Sequence, residues 1–332
     1  MRNLCLSISF AILAGSAAAE CSEDALITSW HSQGRCTSVE FSPDGTRLLV
    51  QSPPHTIRIF DTMTGHVLAQ QEFEGSFCQW TESGAVFSPN GSVAAAGVNN
   101  TVLVLDTNDG SLLHTLRTDD GRFLIGALAF SRDGSLLAAA GQGGRAYVWS
   151  TQKGDLVAEF PAPMALVDDL VFSPDAEYLV AGGMSGGASL AFWDIDTWQL
   201  SHRLKTGLRW VYCIEFSPDG ELLACGGPSS LAVWPINESD LSMWRNNYEE
   251  CCPGQFVQFS PDGRFLVTGI GPAHLLLLNS ETGGEIARWP AHTEAGIHDA
   301  DFSPDGKLLA SVGYDTMIEI WDVERILEQA GR

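Results

Sequence analysis

The chain has 332 residues, with 18 lysines and arginines against 41 aspartates and glutamates, and a formal net charge of −23 at pH 7. A single-signed field of that size argues against nucleic acid and anionic membrane surfaces as partners, and favours solubility and cationic ones. No Pro/Ser-rich linker divides the sequence, so it reads as one large closed domain.

At the N-terminus, Met1, Arg2 and Asn3 form a short basic region, residues 4–13 are apolar, and Ala17, Ala18 and Ala19 precede Glu20. That is the pattern of a cleavable secretory leader, and the apolar run is too short for a stable membrane anchor. Glu20 stands where a lipoprotein signal before Cys21 would need a small residue. The expectation is cleavage after Ala19 and export to a bacterial periplasm or beyond, with residues 1–19 as leader and 20–332 as the mature domain. The mature charge is one unit more negative, because Arg2 is lost. The cysteines that remain are Cys21, Cys36, Cys78, Cys213, Cys225, Cys251 and Cys252, an odd set for an oxidising compartment.

After a strand-like run at 25–31, the chain writes Phe-Ser-Pro-Asp-Gly, or a variant, seven times. The motif phenylalanines are Phe41, Phe87, Phe130, Phe172, Phe216, Phe259 and Phe302, spaced 42 to 46 residues apart. A fixed period in that range means one supersecondary unit copied along the chain. In the last copy, 297–302 is a short strand and Ser303–Gly306 a turn in which Pro304 presets φ and Gly306 accepts a positive one. Residues 307–312 and 317–322 follow as strands rich in β-branched and aromatic residues. Earlier copies place third strands at 57–61, 102–106, 146–150, 190–194, 231–235 and 275–279. Fourth strands are expected at 66–71, 111–117, 155–160, 198–204 and 285–289, with a blurred one at 241–245. Arg132 replaces the turn proline once. Ala176 replaces the turn glycine once, at a cost of about 1 kcal/mol if φ stays positive.

These seven in-phase copies resemble the WD-repeat β-propeller family, of an exported bacterial type. The resemblance implies an all-β fold, a seven-bladed propeller with four antiparallel strands per blade. The last copy lacks its own fourth strand, so the 25–31 run is expected to supply it and close the ring. Residues 323–332 read as a short polar helix or tail. The resemblance also implies a buried hydrogen-bonded set in the last blade, His292, Ser311, Asp315 and Trp321, with a structural role.

If Ser217 opposes Glu221 across the fifth motif turn, Cys213 opposes Cys225, a candidate disulfide; two small buried cysteines fit equally. Gly183 to Gly187 matches the nucleophile-elbow pattern around Ser185, but strands flank it where a helix is required and no histidine is placed as base. Asp106 to Gly110 resembles a calcium loop with its glycine one position early and no late glutamate. Glu40, Asp168, Asp169, Glu215, Asp299 and Asp301 lie on innermost strands, where some should face a central channel. Solvated carboxylates are the plain reading and a cation site the sharper one. Asn90, Asn99 and Asn237 open glycosylation sequons only in a eukaryotic host.

Segments leading into the innermost strands line one rim of a propeller, and here they carry Trp80, Arg122, Phe123, Arg209, Trp210, Tyr212 and His298. Aromatic and arginine side chains anchor interfaces when desolvated, though rings also fill gaps between blades. The leading expectation is a non-catalytic, monomeric scaffold that binds a protein or peptide through this rim, with no cofactor, no metal, no nucleic acid and no membrane insertion of the mature chain. The alternatives are a propeller enzyme, either a metal-dependent hydrolase or a quinone-dependent one, and a small-ligand or sugar binder.

Overall fold

The computed structural model describes residues 19–20, 23–52, 56–73, 84–118, 124–184, 189–208, 210–236, 243–248, 256–271, 273–293 and 296–331. Seven antiparallel sheets of four strands stand in a ring. Their innermost strands are Ser38–Phe41, Ala85–Phe87, Ile125–Phe130, Leu166–Phe172, Cys213–Phe216, Gln258–Phe259 and Ile297–Phe302. We number the blades one to seven in that order. The chain is a seven-bladed β-propeller.

The sequence folds this way because no blade can bury itself. Second and third strands are apolar on both faces, as in Leu136–Gly141 and Arg145–Ser150, where nearly every residue is buried. The apolar clusters accordingly straddle the joints between blades. One joins Leu49, Ile57 and Ile59 of blade one to Phe87, Ala94 and Leu105 of blade two. Another joins Val39, Phe41, Leu48 and Val50 of blade one to Ala310, Val312, Ile318 and Ile320 of blade seven. That last joint closes the circle.

The N-terminal strand Leu26–His31 pairs antiparallel with Met317–Asp322, setting Ser29 opposite Glu319 and Trp30 opposite Ile318. Both chain ends therefore knit blade seven. Ala19–Glu20 adds a short parallel strand to the outer edge of blade six, opposite Ala287 and Arg288. The C-terminal helix Val323–Gln329 starts at Asp322, whose side chain accepts from the backbone N–H of Arg325. This helix is not wholly polar: Val323 and Ile326 are buried in the joint between blades six and seven.

Each motif turn carries the same hydrogen bonds. In blade one, Ser42 Oγ donates to Asp44 Oδ1 at 2.6 Å, Asp44 Oδ1 accepts from Thr46 N–H at 3.0 Å, and Ser42 Oγ accepts from Arg47 N–H at 3.0 Å. These bonds hold the Asp44 carboxyl at about 2, below its ordinary value, led by the Ser42 hydroxyl. Ala176 takes φ 60° in blade four, so the turn keeps its shape and the alanine bears the left-handed backbone.

Two expectations are corrected. The outer strand of blade five is Trp244–Asn247, later than 241–245. Cys213 and Cys225 form no disulfide with each other. Ser217 N–H bonds to the carbonyl of Leu222, so Cys213 pairs with Gly226, and Cys225 with Ile214. A one-residue change of register sends a side chain to the other face of a sheet. Cys213 packs toward blade six and Cys225 toward blade four.

Candidate functional site

The innermost strands have one edge unpaired, and five carboxylates occupy those edges in an ordered way. Asp301 Oδ2 of blade seven accepts from Phe41 N–H of blade one at 2.7 Å, and Asp299 Oδ2 accepts from Val39 N–H at 2.9 Å. Glu40 Oε2 of blade one accepts from Phe87 N–H of blade two at 2.7 Å. Asp169 Oδ2 reaches Ile214 N–H of blade five at 2.7 Å, and Glu215 Oε2 reaches Phe259 N–H of blade six at 2.5 Å. Each acid thus fastens its own blade to the next by satisfying an edge N–H that has no strand partner.

The channel they line has a volume of about 210 Å³, and in it Asp169 is buried and Glu40, Glu215, Asp299 and Asp301 are half-buried. Burial raises Asp301 to about 7 against the N–H bonds of Phe41 and Phe302, and raises Glu40, Glu215 and Asp299 well above the usual range. Asp168 sits at a strand irregularity beside Asp169, has an unpartnered buried oxygen, and is pushed up to about 7 by burial and then by the Asp169 charge. Among the described residues, no three acidic, histidine or cysteine side chains converge closely enough to hold a metal ion. The five acids bonded across the joints are committed to backbone N–H groups rather than freely solvated. They are inter-blade acceptors, legible in the sequence only as acids preceding motif phenylalanines.

In blade seven, His292 Nδ1 lies 2.9 Å from Asp315 Oδ1, and its Nε2 lies 3.0 Å from Ser311 Oγ. Trp321 Nε1–H donates to the same Ser311 Oγ at 3.0 Å, and Asp315 also accepts from Thr293 and Met317 N–H. Burial opposes ionisation of Asp315, but the His292 bond and the two backbone N–H groups outweigh it and hold the carboxyl at about 2. Among the described residues, blade one has no such set. There Arg58 is buried, and donates through Nε to Gln70 Oε1 at 2.9 Å and through Nη1 to the Ser32 carbonyl at 3.0 Å.

On the rim, Trp210 and Tyr212 are half-buried with ring centroids 6.2 Å apart. His298 lies at a different place on the rim, edge-on to Tyr314 at 4.0 Å, with the Arg35 guanidinium 5.3 Å from the Tyr314 centroid. Burial, then Arg35 and His292, lower His298 to about 4, so its ring is neutral at pH 7, and its Nε2 has no partner among the described residues. Arg35 and Tyr314 were missed by sequence reasoning. Arg35 also precedes an innermost strand, which could have flagged it, but Tyr314 comes from the turn after a second strand. Trp80, Arg122, Phe123 and Arg209 lie outside the described residues.

The motif matches resolve structurally. Gly183 and Met184 end the strand Tyr178–Met184, and Ser189–Asp194 follows as a strand, so no strand-to-helix elbow forms; Ser185 itself lies outside the described residues. Asp106 Oδ1 accepts from Asn108 N–H and Asp109 Oδ1 from Ser111 N–H, each at 2.8 Å, which commits both acids to a turn. Among the described residues, no helix is long and apolar enough to cross a membrane.

Residues 24–61, 110–150, 198–234 and 283–322 match the family described as WD domain, G-beta repeat. Each match starts before or on an outer strand and ends on the next third strand, the phase in which the ring closes. The target of rapamycin complex subunit wat1 of Schizosaccharomyces pombe is 24% identical over 86% of this chain and 78% of its own length. The LST8 homolog of Drosophila melanogaster is 26% identical over 54% of this chain and 58% of its own length. The meiotic recombination protein rec14 of S. pombe is 36% identical over 28% of this chain. Several of these relatives are matched over less than two thirds of their own length, down to 30% for rec14 and 6% for telomerase protein component 1 of Mus musculus.

Proposed function

We propose, for a chain whose WD repeats fold into a seven-bladed propeller, that it is an exported, non-catalytic scaffold that binds a protein or peptide segment through its rim. The observation that carries this reading is the contrast between channel and rim. In the channel, polar side chains are tied to neighbouring blades. On the rim, Trp210, Tyr212 and Tyr314 keep exposed surface while standing in fixed ring contacts, and Arg35 stands over one of them. Rigid, partly exposed rings beside arginine anchor a partner with little loss of side-chain entropy. A relative whose name makes it a subunit of a complex fits the same role.

Replacing Trp210 and Arg209 together by alanine is expected to weaken capture of a partner from the native compartment at least about tenfold, with the melting temperature within about 2 °C of wild type. Undiminished capture by the double variant would contradict a rim interface. The export reading has its own test. The intact mass of protein recovered from the cell envelope or medium should correspond to a chain starting at Glu20; an unprocessed cytoplasmic product would contradict it.

A further inference from the structure

Repetition supplies internal controls for one unusual corner of the ring. In blade three the second strand begins at Leu136, and the third strand carries Val148 with Ala158 opposite it on the outer strand. The equivalent residues of blade seven are Leu308, Ile320 and Thr28. No blade but the fourth has more than one ring at these three positions. Blade four has three: Tyr178, Phe192 and His202. The His202 and Phe192 rings stack at 4.3 Å and 16°, and Tyr178 stands edge-on to both, at 5.6 and 6.0 Å. Blades two, five and six each place a single ring there, His114, Trp244 and Phe265, and blades one, three and seven place none, so packing alone does not call for this trio.

The rings form one wall of a cleft of about 800 Å³ between blades four and five, on the face of the motif turns, opposite the rim. Phe192 is buried beneath, while His202 is exposed and Tyr178 half-buried. Asp175 and Asp219 are tied to their turns through Ser173 and Ser217. Arg132 donates to the Pro174 carbonyl. Glu177 and Glu221 are exposed and form no ion pair among the described residues, and Arg132 and Arg203 are the opposing charges in the cleft. The lining has an excess of carboxylates, in a chain of net charge −23.

We infer that this cleft docks a basic segment of a partner protein, with an arginine or lysine side chain lying against His202 and Tyr178 and its charge held by Glu177 and Glu221. Ring faces attract cations and the two glutamates supply the counter-charge. The global field steers the same sign of partner toward the molecule. The cleft is separate from the rim, so the two sites stand or fall independently.

The test is fluorescence anisotropy of a labelled tri-arginine amide on the full chain at about 0.15 M salt, with a tri-glutamate amide as counter-probe. Because any acidic surface attracts tri-arginine, the control is Asp155→Lys with Glu281→Lys, which changes net charge equally at exposed positions outside the cleft. The expected result is about tenfold weaker binding for Glu177→Lys with Glu221→Lys, at least about threefold weaker for His202→Ala, and less than about threefold for the control. Equal loss in the control, no loss in the cleft variants, no tri-arginine binding, or equal binding of tri-glutamate would each overturn the assignment.

Discussion

At the scale of the residue, two departures from the motif turn, Arg132 and Ala176, explain each other. In most blades a Cβ built on the turn glycine would come within 3.2–3.7 Å of the preceding blade's turn proline, as at Gly91 on Pro43 and Gly263 on Pro218. Blade three has Arg132 in place of that proline, and the next blade is the one with Ala176 in place of glycine. Removing the ring makes room for a methyl group, but not for the left-handed backbone. Ala176→Gly is therefore expected to stabilise the protein by about 0.5–1 kcal/mol in urea unfolding, since relief of φ 60° exceeds the extra unfolded-state entropy of glycine. A loss of stability would show that the alanine side chain contributes packing. Trp198 shows the same substitution on a larger scale. It holds φ 55° where other blades place Gly65, Gly110, Gly154 and Gly283, and it stacks on Phe160 at 5.8 Å. Sequence reading found the turns but not this compensation, because a stack across a blade joint has no local signature.

The channel carboxylates give a pH dependence whose sign is opposite to the usual one. Asp301 is raised to about 7 from an ordinary 3.8, so the folded chain binds a proton that the unfolded chain has lost between those values. Its contribution is therefore most favourable at acid pH and declines as pH rises through about 4 to 7. Glu40, Glu215 and Asp299 are shifted in the same direction. Asp315 works the other way, and its contribution is lost only as pH falls toward about 2. Asp301→Asn keeps an acceptor for Phe41 N–H and removes the charge. It should raise the melting temperature at pH 8 by about 2–4 °C and change it little at pH 5. An equal drop at both values would mean that the charge itself holds the joint.

At the scale of the element, blade seven is, among the described residues, the one blade with a buried set like that of His292, Asp315, Ser311 and Trp321, and it is also the blade assembled from both chain ends. Ser311→Ala would leave His292 and Trp321 without their shared partner, at a cost of about 2–3 kcal/mol in chemical unfolding. A change below about 0.5 kcal/mol would mean that the histidine and indole find other acceptors. The existence of the blade strands was legible, because alternating turn chemistry and β-branched runs carry it, but the short strand Ala19–Glu20 was not. Registers and outer strands were not. The hairpin of Cys213 slipped by one residue because four residues, 218–221, separate Ser217 from Leu222. The outer strand of blade five was misplaced because its sequence lacks apolar alternation, and its Trp244 instead packs over Gly283 of the next blade and donates Nε1–H to the Ser280 carbonyl at 2.7 Å.

At the scale of the whole molecule, periodicity carried the architecture, while function left only scattered marks. The seven motif phenylalanines imply seven joints, and apolar clusters occupy those joints, including the one between blades seven and one. The rim aromatics were partly visible as residue types. The contact of Arg35 with Tyr314 joins segments distant in sequence, and the ring trio of blade four joins three successive strands of one repeat. Solenoid-like chains can lose terminal repeats piecemeal, but a closed ring cannot, because each blade covers its neighbour. The strand Leu26–His31 is the fastener that makes this a ring. Hydrogen exchange of Met317–Asp322, compared between the chain from Glu20 and a chain lacking residues 20–31, measures that fastening directly. Loss of protection spreading from blade seven into blades one and six, with a broadened unfolding transition, is the result expected; unchanged protection and an unchanged sharp transition would contradict closure by the N-terminal strand.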